Sequence, residues 1–322
     1  MTISTESMSN QVAAASETLA GLRENLEKVI RGKQDAIELL LCCLAAGGHV
    51  LLEDVPGTGK TTLAKALAIS SGCQFSRVQF TPDLLPSDIV GSSILNAADS
   101  TFRFNRGPIF TNLLLADEIN RASPRTQSAL LEAMGEQQVT VDGNTYPLES
   151  PFLCIATQNP VEFHGTYPLP EAQLDRFMIR LTLGYVHQDE EFQILSAQRW
   201  GHPLEDIESV ASPESIAQVQ QDVEKIEIEE SVLRYLLSLV EGTRKHSAVK
   251  LGVSTRGSLQ FTRMVRALAL ILGREYALPD DVKRLAVPVL AHRIVLDTRA
   301  KYSGTDKDAI IAEIVAKEQV PR

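Results

Sequence analysis

Apolar positions along this chain recur at two spacings, and the change between them divides it. Leu22, Leu26, Val29 and Ile30 repeat at intervals of three and four, the spacing of one helix face. Residues Lys33 to Ala46 predict a second helix, which Gly47 and Gly48 end. His49 to Glu53 is then a short apolar run between glycine and a Pro-Gly pair, the pattern of a buried strand. Phe75 to Phe80, Asn112 to Ala116 and Phe152 to Ala156 predict further strands, with helical stretches between them. Such alternation predicts an α/β fold, a parallel sheet covered by helices.

Two segments depart from that alternation. Gln137 to Tyr146 carries an Asp142-Gly143 turn signal and predicts a β-hairpin. Asp88 to Gly107 reads as an irregular insertion with short strands around Ile94 and Phe102. Beyond Tyr185 the patterns are helical: Glu190 to Trp200, Pro213 to Asp222, Glu229 to Lys245, Thr255 to Leu272 and Pro279 to Val295. Ser212-Pro-Glu and Leu278-Pro-Asp-Asp mark helix starts, with Pro in the first turn and acids near the positive end. The stripe Leu259, Met264, Ala267, Leu270 and Ile271 reads as core of this helical part. The expected division is therefore a flexible N-terminal segment over 1–18, rich in Ser, Thr and Ala, an α/β domain over 19–187, and a helical domain over 188–322.

Composition narrows the setting. Hydrophobic residues at 44% and charged residues at 22% are those of a folded globular chain, not a disordered one. The net charge of -10 argues against nucleic acid as a partner, because backbone phosphates need a basic face, although a local basic channel stays open. Cys42, Cys43, Cys73 and Cys154 have neither CxxC spacing nor scaffold density, which fits a reducing compartment. The opening residues lack the basic flank and apolar centre of a secretory signal. The longest apolar stretch, Leu39 to Ala46, is far short of the roughly 20 residues that span a bilayer, so a cytoplasmic protein without membrane insertion is expected. The histidines are scattered, and none forms a spacing such as HExxH.

The chemistry begins at Asp54-Val55-Pro56-Gly57-Thr58-Gly59-Lys60-Thr61, between a predicted strand and a predicted helix. That context suits a P-loop, whose small residues let consecutive N–H groups wrap phosphates while the helix offers its positive end. Pro56, Gly57, Thr58, Gly59 and Thr62 would border the nucleotide; Lys60 would reach the β and γ phosphates, and the Thr61 hydroxyl would ligate Mg²⁺. The strict pattern starts with Gly, and here that position is Asp54. A second signal is the apolar run Leu113 to Ala116 ending in Asp117 and Glu118. At the carboxyl edge of a sheet Asp117 can hold Mg²⁺ through water, and Glu118 can polarise the attacking water. Adjacent acids also occur where a strand merely enters solvent; the P-loop upstream favours the catalytic reading.

The blocks GHVLLEDVPGTGKTTLAKALA, FTPDLLPSDIVG, RGPIFTNLLLADEINRASPRTQSALLEAM, ATQNP and GTYPLPEAQLDRF follow in order and resemble the signature of the MoxR family of AAA+ ATPases. Glu-Asp-Val-Pro-Gly is a familiar form in that family, which accounts for Asp54. The resemblance implies a P-loop AAA+ sheet sandwiched by helices, then a small all-helical lid, with ATP/ADP and Mg²⁺ as cofactors. It also implies roles. Asn159 resembles the sensor-1 residue that positions the attacking water, the alternative being an Asn-Pro turn. Arg176 resembles an arginine finger that enters the neighbouring subunit's site, the alternative being a surface arginine. Arg256 resembles sensor 2 on the lid, reporting nucleotide state, or is a solvated arginine at a helix start. Val29 and Ile30 resemble residues that pack on adenine, or simply end a helix. The insertion and the hairpin resemble the helix-2 insert and pre-sensor-1 hairpin of the magnesium chelatase clade, and either touch a client or extend the fold. Arg121 and Arg125 are solvated or contact a neighbouring subunit.

Three functions compete on this reading. The first is a homo-oligomeric, hexameric ring with chaperone-like remodelling activity on a client protein, with a von Willebrand factor A domain protein as partner. The second is a nucleotide-gated adaptor with incidental hydrolysis. The third, a DNA-dependent motor, is disfavoured because Gln137 to Tyr146 contains no Lys or Arg.

Overall fold

The computed structural model describes residues 5–96, 100–160, 165–197 and 203–321. The chain opens with helices α1 (Thr5–Val29) and α2 (Gln34–Ala45), followed by β1 (Val50–Glu53), α3 (Lys60–Ser71) and β2 (Phe75–Gln79). The insertion comprises α4 (Pro86–Val90), β3 (Gly91–Asn96) and β4 (Thr101–Arg106). Then come β5 (Leu113–Asp117), α5 (Pro124–Glu136), the hairpin β6 (Gln138–Val141) and β7 (Asn144–Pro147), β8 (Leu153–Gln158), α6 (Glu171–Leu174) and β9 (Ile179–Leu181). The helical part contains α7 (Gln188–Ala197), α8 (Pro213–Val223), α9 (Glu230–Lys245), β10 (Val249–Leu251), α10 (Thr255–Ile271), α11 (Pro279–Leu290), β11 (Val295–Leu296), α12 (Thr298–Tyr302) and α13 (Lys307–Lys317).

Five strands form one parallel sheet in the order β2-β5-β8-β1-β9. Its central strands run apolar until their last residues, Glu53, Asp117 and Thr157-Gln158, because both faces are covered. Leu51, Leu114 and Cys154 join Phe80, Leu130 and Phe177 on one side, while Leu52, Leu115 and Ile155 join Leu63, Leu41 and the helical part on the other. The alternation is that of side chains along a strand. At the foot of β1, His49 is fully enclosed: its Nδ1 accepts from Cys154 N, its Nε2 meets Met134 O, and burial lowers its pKa to about 4.

Four expectations need correction. The segment expected to be flexible over 1–18 is, from Thr5 onward, the first half of α1, where buried Val12, Ala15 and Leu19 extend the Leu22 and Leu26 stripe. That stripe packs on α3 and also on α8 and α10, so α1 bridges the two parts of the molecule. The helix expected over Pro279 to Val295 ends at Leu290, where His292 and Arg293 turn back to bond Phe177 O and Val295 pairs with Leu251. The lid is therefore helical with a small antiparallel ribbon, β10–β11. Leu259 is 65% exposed and not core, whereas Met264, Ala267 and Leu270 are buried. Five residues at about 100° each put Leu259 well off the stripe that starts at Met264. The Glu190 to Trp200 helix is seen as α7, its last residues lying outside the described ones.

The insertion is a β3–β4 hairpin whose Ile94, Leu95 and Phe102 are exposed. It leans on the second hairpin, since Phe104 stacks on Tyr146 with ring centroids 4.1 Å apart. That hairpin turns through Asp142 and Gly143, both at positive φ, as a type I′ turn requires. Among the described residues no helix is long and apolar enough to cross a membrane.

Candidate functional site

β1 brings the chain to the carboxyl edge of the sheet, and residues 54–59 turn it into α3. The turn needs glycine at Gly57 and Gly59, whose φ angles are 84° and 92°. A Cβ at Gly57 would meet nothing within 4 Å, and α3 starts with no side-chain cap. The first-turn N–H groups of Lys60, Thr61 and Thr62 therefore stand ready for an anion at the helix's positive end. Lys60 folds back over the loop, donating to Asp54 O at 3.0 Å and Val55 O at 2.7 Å.

Asp54 is buried, and its position explains the departure from Gly. Its Oδ1 accepts from Val55 N at 2.8 Å, while Oδ2 accepts from Leu183 N and Gly184 N at 2.7 Å each. The carboxylate thus ties the start of the loop to the chain leaving β9. Asp54→Ala should strand these N–H groups and lower stability by about 3 kcal/mol. Thermal unfolding checks this; a variant melting like the parent would contradict it.

The adjacent acids close β5. Strand order puts β8 between β1 and β5, so two interstrand steps set the loop and the acids about 10 Å apart, a span that a metal-bound triphosphate can bridge. One hydroxyl aligns both acids: Thr157 Oγ1 donates to Asp117 Oδ1 at 2.6 Å and accepts from Glu118 N at 2.9 Å. Asp117 Oδ2 also accepts from Arg77 on β2, at 2.6 Å from Nη2 and 3.2 Å from Nε. Glu118 has φ 57° and ψ 50°, a left-handed conformation that a non-glycine residue adopts only where its surroundings enforce it. Its Oε2 accepts from Gln79 Nε2 at 2.8 Å and from Arg121 Nη1 at 3.0 Å. Arg121 is thus a partner of Glu118 within its own chain, while Arg125 is exposed. Buried Asn159 follows β8 on the same edge.

Val29 and Ile30 line a cavity of about 710 Å³ together with Gly57, Thr58, Gly59 and Thr62. Tyr185 and Phe192 complete its apolar side. The structure therefore places Val29, Ile30 and the loop around one cavity, and sets Asn159, then Asp117 and Glu118, on the same carboxyl edge of the sheet, one and two strands away. Two arginines lie apart. Arg176 rests on α5, donating from Nη1 to Leu131 O at 2.8 Å across Gly135, where an added Cβ would collide with it. Arg256 sits exposed in the first turn of α10 and is not among the residues lining the cavity. Thr61 and Asp117 offer hydroxyl and carboxylate oxygens, the hard donors that suit Mg²⁺. The residues not singled out in the sequence are Thr157, inside the ATQNP block, and Arg77 and Gln79, whose role only strand pairing reveals.

A glycine turn opening onto a helix N-terminus, with paired acids two strands away and a helical second part, defines the AAA+ class of P-loop ATPase folds. Comparison with known proteins agrees. Residues 49–179 match the family described as "ATPase family associated with various cellular activities (AAA)", and residues 241–314 match the AAA lid domain. The chain is 50% identical to the YeaC protein of Bacillus subtilis, over 92% of this chain and 93% of that one. It is 38% identical to Chaperone MoxR1 of Mycobacterium tuberculosis, over 97% and 84%, and 31% identical to Protein MoxR of Paracoccus denitrificans, over 84% and 86%. A crystal structure from Cytophaga hutchinsonii, described provisionally as an ATPase, superposes with a TM-score of 0.90 at 37% identity, covering 98% of this chain and 99% of that one. The chain belongs to the MoxR family of AAA+ ATPases.

Proposed function

We propose that this protein hydrolyses ATP with Mg²⁺ between subunits of a hexameric ring and spends the cycle remodelling a client protein. The observation that carries the reading is the convergence of the Gly57 to Thr61 loop with Asp117 and Glu118 on one sheet edge. In this scheme Lys60 and the α3 N–H groups hold the β and γ phosphates, and Thr61 and Asp117 hold the metal. When bound, Mg²⁺ neutralises charge on the phosphate oxygens. Glu118 polarises the attacking water, and Asn159 orients it. Arg176 of one subunit completes the site of the next. Similarity to a protein named Chaperone MoxR1 supports the remodelling role, and the exposed β3–β4 hairpin is the surface offered to the client. A von Willebrand factor A domain protein is the partner to try first.

The engagement of both acids by Arg77, Gln79 and Arg121 favours keeping a second reading, the nucleotide-gated adaptor with slow incidental hydrolysis. Phosphate release separates the two. Turnover should be measurable with Mg²⁺, vanish on chelation, return with the metal, and rise with a partner. Release that stays at background under every condition would leave only the adaptor.

A further inference from the structure

We propose that Asp175 is a positioning residue that fastens Arg176 to the lid, so that lid movement in one subunit sets the arginine offered to the next. The inference rests on the reading of Arg176 as a finger acting in trans. Asp175 Oδ1 accepts from Arg293 Nη1 at 2.6 Å, and its Oδ2 accepts from Ser254 Oγ at 2.9 Å. Both donors belong to the lid. Ser254 is the N-cap of α10 and also accepts from Gly257 N at 3.0 Å, so one hydroxyl joins the start of the helix that carries Arg256 to the residue preceding Arg176.

Arg293 extends the attachment. Its side chain is fully buried, and its Nη1 also donates to Asp175 O at 3.1 Å. Its Nη2 donates to Phe177 O at 2.7 Å and Met178 O at 3.2 Å, and also reaches Gln260 Oε1. Its Nε is held by Val289 O at 2.7 Å. His292 Nε2 adds a bond to Phe177 O at 3.0 Å. Residues on both sides of Arg176 are thus gripped by the cap of α10 and the turn after α11. Among the described residues, Arg176's own Nη1 is bonded to α5, through Leu131 O. The lid therefore fixes the base of the side chain and α5 steadies its tip.

A finger serves only if its guanidinium lands where charge develops, and a misplacement of about 1 Å can cost about 10²-fold in rate. Any rotation of α10 with nucleotide state pulls on Asp175 through Ser254. The displacement passes to a side chain whose work is done in the neighbouring site. A link of this kind couples successive sites around a ring.

Complementation in mixed rings tests the assignment. Asp175→Ala and Ser254→Gly are each purified alone, then as mixed rings with Glu118→Gln, captured through two different tags. Ser254→Gly keeps a tolerated N-cap residue while losing the hydroxyl, so it guards against a folding defect in Asp175→Ala. Alone, each should lower kcat by about 10²-fold while its own site binds ATP with unchanged affinity. Mixed with Glu118→Gln, activity should rise well above the sum of the two parents, because Glu118→Gln subunits supply a well-placed Arg176 to intact neighbouring sites. Arg176→Ala mixed with Glu118→Gln is the control for the underlying reading. If that control recovers and the Asp175 and Ser254 mixtures do not, their defects lie in their own subunits and the proposal is overturned. If the control also fails, Arg176 is not a trans finger, and the proposal falls with it.

Discussion

Glu118→Gln should bind ATP as tightly as the parent and release phosphate about 10³-fold more slowly. In the proposed reaction the carboxylate draws a proton from water as it attacks, and a correctly placed general base contributes roughly 10² to 10⁴ in rate. An amide of the same shape cannot take that proton. It can still accept from Gln79 Nε2 or Arg121 Nη1, and it leaves Glu118 N bonded to Thr157 Oγ1, so the local backbone has no cause to move. The loss should therefore fall on kcat, with KM nearly unchanged. Steady-state phosphate release and equilibrium binding of ATP, measured on the same preparation, check both halves. Turnover within a few-fold of the parent would remove Glu118 from the reaction.

Lys60→Ala should weaken ATP binding by about 10²-fold. An ammonium group donating to phosphate oxygens makes charge-assisted hydrogen bonds of roughly 1.5 to 3 kcal/mol. The side chain now spans two loop carbonyls, Asp54 O and Val55 O, and stays half-buried above them, already poised over the glycine turn. Its removal costs the fold little, because those carbonyls lie at the open edge of the sheet where water can replace the ammonium. Calorimetric titration with ATP gives the answer, and an unchanged dissociation constant would mean that the phosphates bind elsewhere.

What could be read in the chain before its fold was known follows from the range over which each interaction acts. β1, β5 and β8 announce themselves because a strand buried on both faces reads as a continuous apolar run, here broken only at its carboxyl end. β9 gives no such signal: it is three residues long, sits at the sheet's edge, and carries Arg180 paired with Glu53 and Asp308. The first half of α1 is faint in the sequence because Ser and Ala dilute the stripe formed by Val12, Ala15 and Leu19. In the site, the P-loop and the paired acids are local motifs and were legible as such. Arg77 lies 40 residues from Asp117, and Arg293 lies 118 from Asp175, so only strand pairing and lid packing show that they touch. Asp54 lies between these cases. Its identity was visible, but its purpose depends on Leu183 N and Gly184 N, which lie some 130 residues on and reach it from the chain leaving the neighbouring strand β9.

A crystal structure with Mg²⁺ and a non-hydrolysable ATP analogue would test whether one metal-bound triphosphate unites the loop with the acids. The β and γ phosphates should lie on the N–H groups of Gly57 to Thr61. The metal should sit about 2.0 to 2.1 Å from Thr61 Oγ1, with Asp117 linked to it through water and Glu118 facing the γ-phosphate. Phosphates bound away from the loop, or a metal with no water path to Asp117, would contradict the account.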